Sequence, residues 1–179
     1  MTDVETRLYT AALDLLRTRG PAAVSVEAVA AHSGVAKTTI YRRFDGREPL
    51  LEAAVLSAAA PVPMPDVDSR ELLRWVLLHA RDTIEDVIGR GTVAAVLVDD
   101  DPAFTRLLLG MIRSTTRPFR EELRRRVEAG ELRAGLDVEL AISMLLGVVV
   151  AEVIRGRVTD GAWADEVLTM LAPAFGLAD

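Results

Sequence analysis

The sequence predicts an all-α protein of about nine helices. Apolar residues recur three and four positions apart along most of the chain, which is the spacing of one face of an α-helix. Glycine and proline fall between these runs, as is usual where helices begin and end. No segment alternates apolar and polar residues between hairpin-type turns, so the sequence predicts no β-strand.

Four helices are predicted in the first part of the chain. Gly20 and Pro21 end the first of them, and Gly34 allows a tight turn between the second and the third. Ser25 is the predicted N-cap of the second helix, because its side-chain oxygen can accept a hydrogen bond from the first turn. These helices cover about residues 3–19, 26–32, 37–43 and 47–59.

Five more helices are predicted beyond a proline-rich stretch at residues 61–65, which favours a stiff, extended connector. Pro118 lies inside one of these helices and is expected to kink or split it. Asp137 is the predicted N-cap of a helix that is apolar on every side. The five helices cover about residues 68–88, 93–98, 101–129, 137–155 and 162–172.

The composition excludes several classes of protein. The 179 residues include no cysteine and two histidines, so disulfides, thiol catalysis and cysteine-based zinc sites are excluded and no metal site is predicted. The first residues are polar and acidic, unlike a secretory signal, and the longest apolar run is too short to cross a bilayer. We therefore expect a cytoplasmic protein with no cofactor and no contact with membranes.

The charge is unevenly distributed along the chain. Residues 1–49 carry seven basic and six acidic groups, a net charge of +1, whereas residues 50–179 carry 14 basic and 21 acidic groups, a net charge of −7. Four of the basic groups lie between Lys37 and Arg47. A locally basic segment in an acidic protein indicates an anion-binding module, although a solvated helix face has the same composition.

Two short helices joined by a glycine turn, of which the second is basic, match the spacing of a helix-turn-helix. Val29 and Ile40 would anchor the two helices on the core, which leaves the polar side chains of the second helix exposed. Their chemistry suits duplex DNA, because Arg and Lys bind phosphates or guanine edges and hydroxyl groups bind phosphates. An ordinary helical hairpin with a solvated basic face is the alternative. The side chains that are expected to point outward or sideways are Lys37, Thr38, Thr39, Tyr41, Arg42 and Arg43.

Residues 7–52 resemble the N-terminal domain of the TetR family of bacterial transcriptional regulators. Segments between Asp101 and Ala141 resemble, less specifically, a common C-terminal domain of these regulators. The resemblance implies a TetR-like fold, with a three-helix DNA-binding domain at residues 1–48 and a helical bundle for ligand binding and dimerisation at residues 49–179. The N-terminal resemblance is carried by Val24-Ser25-Val26, Ser33-Gly34-Val35, Thr39-Ile40-Tyr41-Arg42-Arg43-Phe44 and Arg47-Glu48-x-Leu50-Leu51.

The resemblance also implies roles for single residues of the first domain. Thr39, Tyr41 and Arg43 fall where family members contact the sugar–phosphate backbone or base edges. Lys37 and Thr38 fall at variable positions that often set sequence preference. The implied DNA-binding set is Ser25, Lys37, Thr38, Thr39, Tyr41, Arg42, Arg43 and Arg47, the last at the place of a usual phosphate-binding lysine.

A helix that is apolar on every side suggests a partner subunit, because a small domain seldom buries such a helix alone. The alternative is a central core helix in a monomer. In the TetR family, the last two helices of each subunit pack into a four-helix dimer interface. The interface residues implied here are Leu145, Val149, Val153, Trp163, Val167 and Leu171.

The family also places a ligand cavity among the middle helices, which implies a small, partly apolar effector. Trp75, His79 and Asp82 lie on one helical stripe at the edge of an apolar face, a mixture of groups that is typical of ligand sites. Ordinary core packing around a locally satisfied histidine is the alternative. The facing stripe, on a later helix, consists of Phe104, Leu108, Met111 and Ile112.

The sequence therefore indicates a TetR-type transcriptional regulator: a repressor that binds a pseudo-palindromic operator in double-stranded DNA as a homodimer and is released by a small-molecule effector. It is not expected to be an enzyme, because it has no glycine-rich phosphate loop, no nucleophile elbow and no spaced acid–base set except His79 and Asp82. The alternative is a helical protein-interaction adaptor, or a ligand-binding protein, without specific DNA recognition. Such a protein would show no salt-sensitive affinity for DNA.

Overall fold

The computed structural model describes residues 2–58, 62–99 and 101–177. In these residues it contains nine α-helices and no β-strand, which confirms the predicted all-α class. A short 3₁₀ turn, Pro21–Ala23, follows the first helix. The helices are α1 (Asp3–Arg19), α2 (Val26–Ser33), α3 (Lys37–Tyr41), α4 (Arg47–Ala58), α5 (Ser69–Asp82), α6 (Arg90–Val98), α7 (Pro102–Glu128), α8 (Val138–Arg155) and α9 (Gly161–Phe175).

The helix predicted at residues 68–88 is not α-helical throughout. α5 ends at Asp82, and the chain continues as a π-helical turn, Thr83–Ile88. A π-turn changes the hydrogen-bond spacing over a few residues only, which is too short a stretch for side-chain periodicity to reveal. The expected end of α4 near residue 59 and the first residue of the proline-rich connector, Pro61, lie outside the described residues.

Pro118 does not split its helix, because α7 runs through it without interruption. Proline removes one backbone donor and crowds the carbonyl group one turn earlier, which normally weakens a helix. Phe119 and Leu123 follow Pro118 and are both buried, so the apolar face of α7 is held by packing on both turns. Packing outweighs the local cost of proline here, so the helix is not split, and the other expected outcome, a kink at Pro118, stays a prediction.

The chain forms two compact units. The first consists of Met1–Ala60 and Thr83–Arg113, and the second of Pro61–Asp82 and Ser114–Asp179. Segments that are separate in the sequence thus share one unit in space. The functional boundary expected between residues 48 and 49 stays a prediction.

The first unit is built around α1. Its apolar face, which includes the fully buried Leu8 and Leu16, packs on α2, α4 and α6. Gly89, just before α6, has a positive φ of 77°, and a Cβ atom there would stand 2.3 Å from the Arg17 carbonyl oxygen. Only glycine tolerates both conditions, so it allows the start of α6 to approach the end of α1 closely.

The second unit has an apolar core between α5, α8 and α9. Leu73, Leu145 and Leu168 are among its fully buried side chains. At the rim, Arg74 Nε of α5 donates a hydrogen bond to Asp165 Oδ1 of α9 at 2.8 Å. Within the described ranges, no helix is both long enough and apolar enough to span a bilayer.

A buried arginine connects α7 to the start of α5. Arg126 is 4% exposed, and its guanidinium donates to the Ser69 hydroxyl at 3.0 Å and to the Val67 carbonyl oxygen at 2.7 Å. Arg126 Nε also donates to Glu122, one turn earlier, at 2.7 Å. The hydrogen bond from Arg125 lowers the pKa of Glu122, and the one from Arg126 lowers it further. Burial acts in the opposite direction, but the two arginines outweigh it and the pKa falls to about 2.

Glu122 is therefore expected to make the stability of the second unit depend on pH. A lowered carboxyl pKa adds stability that is fully present above the ordinary value of 4.5 and is lost as the pH falls through about 2. Replacing Glu122 by Gln should cost about 2 kcal/mol of unfolding free energy at neutral pH and much less near pH 2. Urea unfolding at both pH values measures this difference, and an equal cost at both would contradict the role of the charge.

Candidate nucleic-acid interface

The helix-turn-helix consists of α2, a turn at Gly34 and α3. The Ser25 hydroxyl oxygen accepts a hydrogen bond from the Ala28 amide at 3.1 Å, which confirms Ser25 as the N-cap of α2. Gly34 has a positive φ of 68°, as the sharp turn requires. Arg7 of α1 donates to the Ser33 carbonyl oxygen at 2.6 Å and so fastens the turn to the first helix.

α3 has a buried face and an exposed polar face. Ile40 is fully buried and anchors the helix from behind. Thr39 is half-buried at the edge, and Ala36 precedes the helix without providing a side-chain cap. The chemistry that suits DNA is on the outer face, where Tyr41 is 55% exposed. The exposed predicted residues are Lys37, Thr38, Tyr41, Arg42 and Arg43.

The three cations of this face have different surroundings. Lys37 Nζ lies 3.5 Å from a carboxylate oxygen of Glu27, and both side chains are exposed. Arg43 Nη1 donates to Glu5 Oε1 at 3.0 Å. Among the described residues, Arg42 makes no hydrogen bond or ion pair through its guanidinium. Arg42 is therefore the cation of this face that is most available to a phosphate.

Arg47 is engaged within the first unit, and its predicted contact with a DNA phosphate stays a prediction. Its guanidinium donates to the carbonyl oxygens of Val24 at 2.7 Å and Pro21 at 2.8 Å. It also donates to Asp101 Oδ2 at 2.6 Å. The planar, five-donor guanidinium suits three acceptors at once. Arg47 is thus an internal tie between α4, the segment after α1 and the start of α7.

The carboxyl group that binds Arg47 also caps α7. Asp101 Oδ1 accepts a hydrogen bond from the Phe104 amide at 3.1 Å. Burial acts to raise the pKa of Asp101, but the Phe104 amide and the Arg47 guanidinium outweigh burial and leave that pKa below its ordinary value. Asp101 is therefore an anion at neutral pH, as its pairing with Arg47 requires.

Replacing Arg47 by Ala is expected to lower the free energy of unfolding by about 2–3 kcal/mol, because one carboxylate and two carbonyl oxygens lose their donor. Arg47→Lys should not restore stability, since one ammonium group cannot match the planar fork of a guanidinium. Circular dichroism in urea measures both variants, and Arg42→Ala is the control expected to unfold like the wild type. An Arg47→Ala protein with unchanged stability and weak DNA binding would instead support the phosphate contact.

Most residues predicted for a dimer interface belong to the core of their own chain. A side chain with almost no exposed surface can bury little more of it against a partner, so the structure does not favour four of the six residues as direct contacts, and the interface itself stays a prediction. Val167 and Leu171 are half-buried, and their place in an interface stays a prediction. The four side chains that are at most 6% exposed are Leu145, Val149, Val153 and Trp163.

The predicted effector residues are divided between the two units. In the second unit, the rings of Trp75 and His79 stack with centroids 4.9 Å apart, and Asp82 is ion-paired with Arg81. A cavity of about 260 Å³ in the first unit has Phe104 in its wall. The effector assignment stays a prediction. The buried or half-buried members in the first unit are Phe104, Leu108, Met111 and Ile112.

Sequence patterns do not identify Glu5, Arg7 or Asp101 as part of this region. Each of them contacts a residue that is distant along the chain. The spacing Thr2-x-x-Glu5 is a capping-box signature that could have identified Glu5 as a capping residue of α1. No pattern indicates the second contact of Glu5, with Arg43.

Two protein-family models match the chain. The model described as bacterial regulatory proteins, tetR family, matches residues 8–54. The model described as tetracyclin repressor-like, C-terminal domain, matches residues 64–171. The first match includes the whole helix-turn-helix, and the second alone spans more than half of the chain.

The chain is also similar to individual regulators. It is 29% identical over 146 residues to the uncharacterized HTH-type transcriptional regulator YdeS of Bacillus subtilis (strain 168), a match that covers 78% of this chain and 73% of YdeS. Salmonella enterica GusR has the same fold, with a TM-score of 0.74 and 19% identity over 98% of each chain. FadR from Bacillus subtilis, solved in complex with stearoyl-CoA, has a TM-score of 0.68 and 18% identity over 95% of this chain and 98% of FadR.

Proposed function

Since this chain belongs to the TetR family of bacterial regulatory proteins, we propose that it is a repressor that binds a pseudo-palindromic operator as a homodimer and is released by a small-molecule effector. The family consists of helix-turn-helix regulators of transcription, not of enzymes. The proposal therefore concerns the direction of regulation, the assembly and the effector. The observation that carries its first step, binding of an operator, is the exposed polar face of α3.

The exposed face of α3 supports insertion into a major groove. Lys37 and Thr38 stand at the N-terminal end of α3, the end from which recognition helices contact base edges. Tyr41 and Arg42, at the other end, have groups that bind phosphates. Ile40, buried behind them, holds this face outward. Base contacts would set the operator sequence, and phosphate contacts would supply most of the affinity.

An exposed stripe of α8 supports dimerisation. Leu140, Gly147 and Ile154 are seven residues apart, so they lie on one face of the helix, and all three are exposed. Leu140 and Ile154 are 58% and 55% exposed, and Met170 of α9 is 83% exposed. Large apolar side chains exposed along one helix face, as Leu140 and Ile154 are, are typical of association sites. The proposed dimer therefore uses this outer stripe and not the buried residues of α8.

A dimer also provides a mechanism for release. Its two α3 helices must enter successive major grooves, about 34–36 Å apart. An effector that binds more tightly to a conformation with another spacing shifts the population away from the operator. The stearoyl-CoA bound to FadR, a protein of the same fold, supports a partly apolar effector for this chain.

Selection from a random-sequence duplex library by the full chain tests this proposal. We expect enrichment of a pseudo-palindrome whose half-sites are about one helical turn apart, or a multiple of it, and a bound species that contains two copies of the chain. Transcription through the selected site should fall when the protein is added and recover with stearoyl-CoA as the first effector probe. If no sequence is enriched and binding does not depend on salt, the adaptor alternative is favoured.

A further inference from the structure

The N-terminal end of α1 places a fixed anion against the recognition segment. Glu5 Oε1 accepts a hydrogen bond from Arg43 Nη1 at 3.0 Å, across 38 residues of sequence. Glu5 Oε2 accepts another from the backbone N–H of Thr2 at 2.8 Å, and the Glu5 amide donates to the Thr2 hydroxyl oxygen at 3.3 Å. Both carboxylate oxygens are therefore held, and Arg43 is bound to a carboxylate that cannot easily turn away.

The surroundings of this pair favour its persistence. The side chains of Glu5 and Arg43 are 28% and 30% exposed, so solvent screens their attraction less than it screens a fully exposed pair. Tyr9 and Phe44 join the same two segments through rings that meet edge to face, 6.2 Å apart. Hydrogen bonds with Thr2 and the nearby Arg43 charge hold the pKa of Glu5 below its ordinary value, so Glu5 is an anion at neutral pH.

The bond to Glu5 gives Arg43 one preferred direction. Glu5 accepts a hydrogen bond from one N–H of Arg43 Nη1, so a phosphate can bind only the remaining N–H groups of the guanidinium. A phosphate that approaches from the side of Glu5 is repelled by the carboxylate. Arg42, which is exposed and unpaired among the described residues, has no such restriction.

We propose that Glu5 is a positioning residue that raises the sequence specificity of the DNA interface by restricting Arg43 to the phosphate position of a correctly docked operator. In a correctly docked complex, the oriented guanidinium meets a phosphate without first being ordered. In a loosely docked complex the phosphates lie elsewhere, and Arg43 cannot follow them. The inference rests on the proposed function, because it requires α3 to dock on duplex DNA.

The test is Glu5→Gln in the full chain. Glutamine keeps the shape and the cap to Thr2, but it has no charge with which to hold Arg43. Affinity for a scrambled duplex is expected to rise about fivefold at about 0.1 M salt, with a steeper salt dependence, because Arg43 becomes free to contact a phosphate in any register. Affinity for the duplex that the wild type selects from a random library should change by less than about twofold. The variant no longer orients Arg43 before binding, which weakens the complex, but it also no longer repels the phosphates through Glu5, which strengthens it. The ratio of the two affinities should therefore fall.

Two further proteins make the result decisive. Asp14→Asn removes the same charge from α1 and also breaks an arginine pair, at 3.1 Å to Arg17, and it should leave the affinity ratio unchanged. In an Arg43→Ala background, Glu5→Gln should leave the affinity ratio unchanged, because the lost repulsion raises both affinities alike and no Arg43 is left to be positioned. An equal rise for both duplexes, no change for either, or a full effect without Arg43 would overturn the inference. A wild type that selects no duplex would overturn the proposed function as well, which separates the two failures.

Discussion

A protein in which Tyr41 and Arg42 are both alanine is expected to bind every duplex about 100-fold more weakly than the wild type at about 0.1 M salt. Both side chains are exposed on α3, and Arg42 makes no ion pair within the described ranges, so no internal contact has to break before it meets a phosphate. Phosphates are common to all sequences, so selected and scrambled duplexes should lose similar factors. The dependence of log affinity on log salt should become shallower by about 0.9 for each lost phosphate contact.

Fluorescence anisotropy with selected and scrambled duplexes over a salt series measures this loss. Arg19→Ala removes one positive charge from the exposed end of α1 and is the matched control, expected to keep nearly full affinity. Circular dichroism should show wild-type stability for the double variant, because neither side chain is buried. If the double variant bound DNA as tightly as the wild type, this face of α3 would not be part of the DNA interface. A loss confined to the selected duplex would mean that these residues read bases.

Aspartate in place of Val149 is expected to unfold the second unit. Val149 is fully buried in the core that α5, α8 and α9 share. Burial of a carboxylate at an apolar site costs more than about 4 kcal/mol, a large part of the total stability of a typical domain. Urea unfolding followed by circular dichroism should therefore show little or no folded population for the second unit.

Ile154→Asp is the matched control, because it places the same charge on an exposed position of the same helix. It should stay folded, and sedimentation should show a shift from dimer to monomer, because the charge falls on the proposed interface stripe. If the Val149→Asp protein were folded and monomeric, Val149 and the other buried residues predicted for the interface would have to contact the partner after all. A folded Ile154→Asp protein that stays dimeric would place the interface elsewhere.

The sequence was sufficient to predict the α-helices, apart from the π-turn that follows α5, and the outward face of α3. Helix caps and apolar periodicity depend on groups within about four residues of each other, which a linear pattern contains. Ser25 and Asp137 cap their helices as expected, and Gly34 lies at the predicted tight turn, where its φ is left-handed. Ile40 is buried behind the exposed recognition residues for the same local reason.

Tertiary structure alone decided which faces of an apolar helix turn inward and which charges are engaged. α8 is apolar on every side, so its sequence could not show that Val149 is buried and Ile154 exposed. Arg47 meets Asp101 across 54 residues, and Arg43 meets Glu5 across 38. Such contacts depend on how whole helices pack, because residues so far apart are brought together only when the chain has folded. Local chemistry thus determined the elements of this regulator, and helix packing determined that Arg43 and Arg47 are engaged by carboxylates of their own chain.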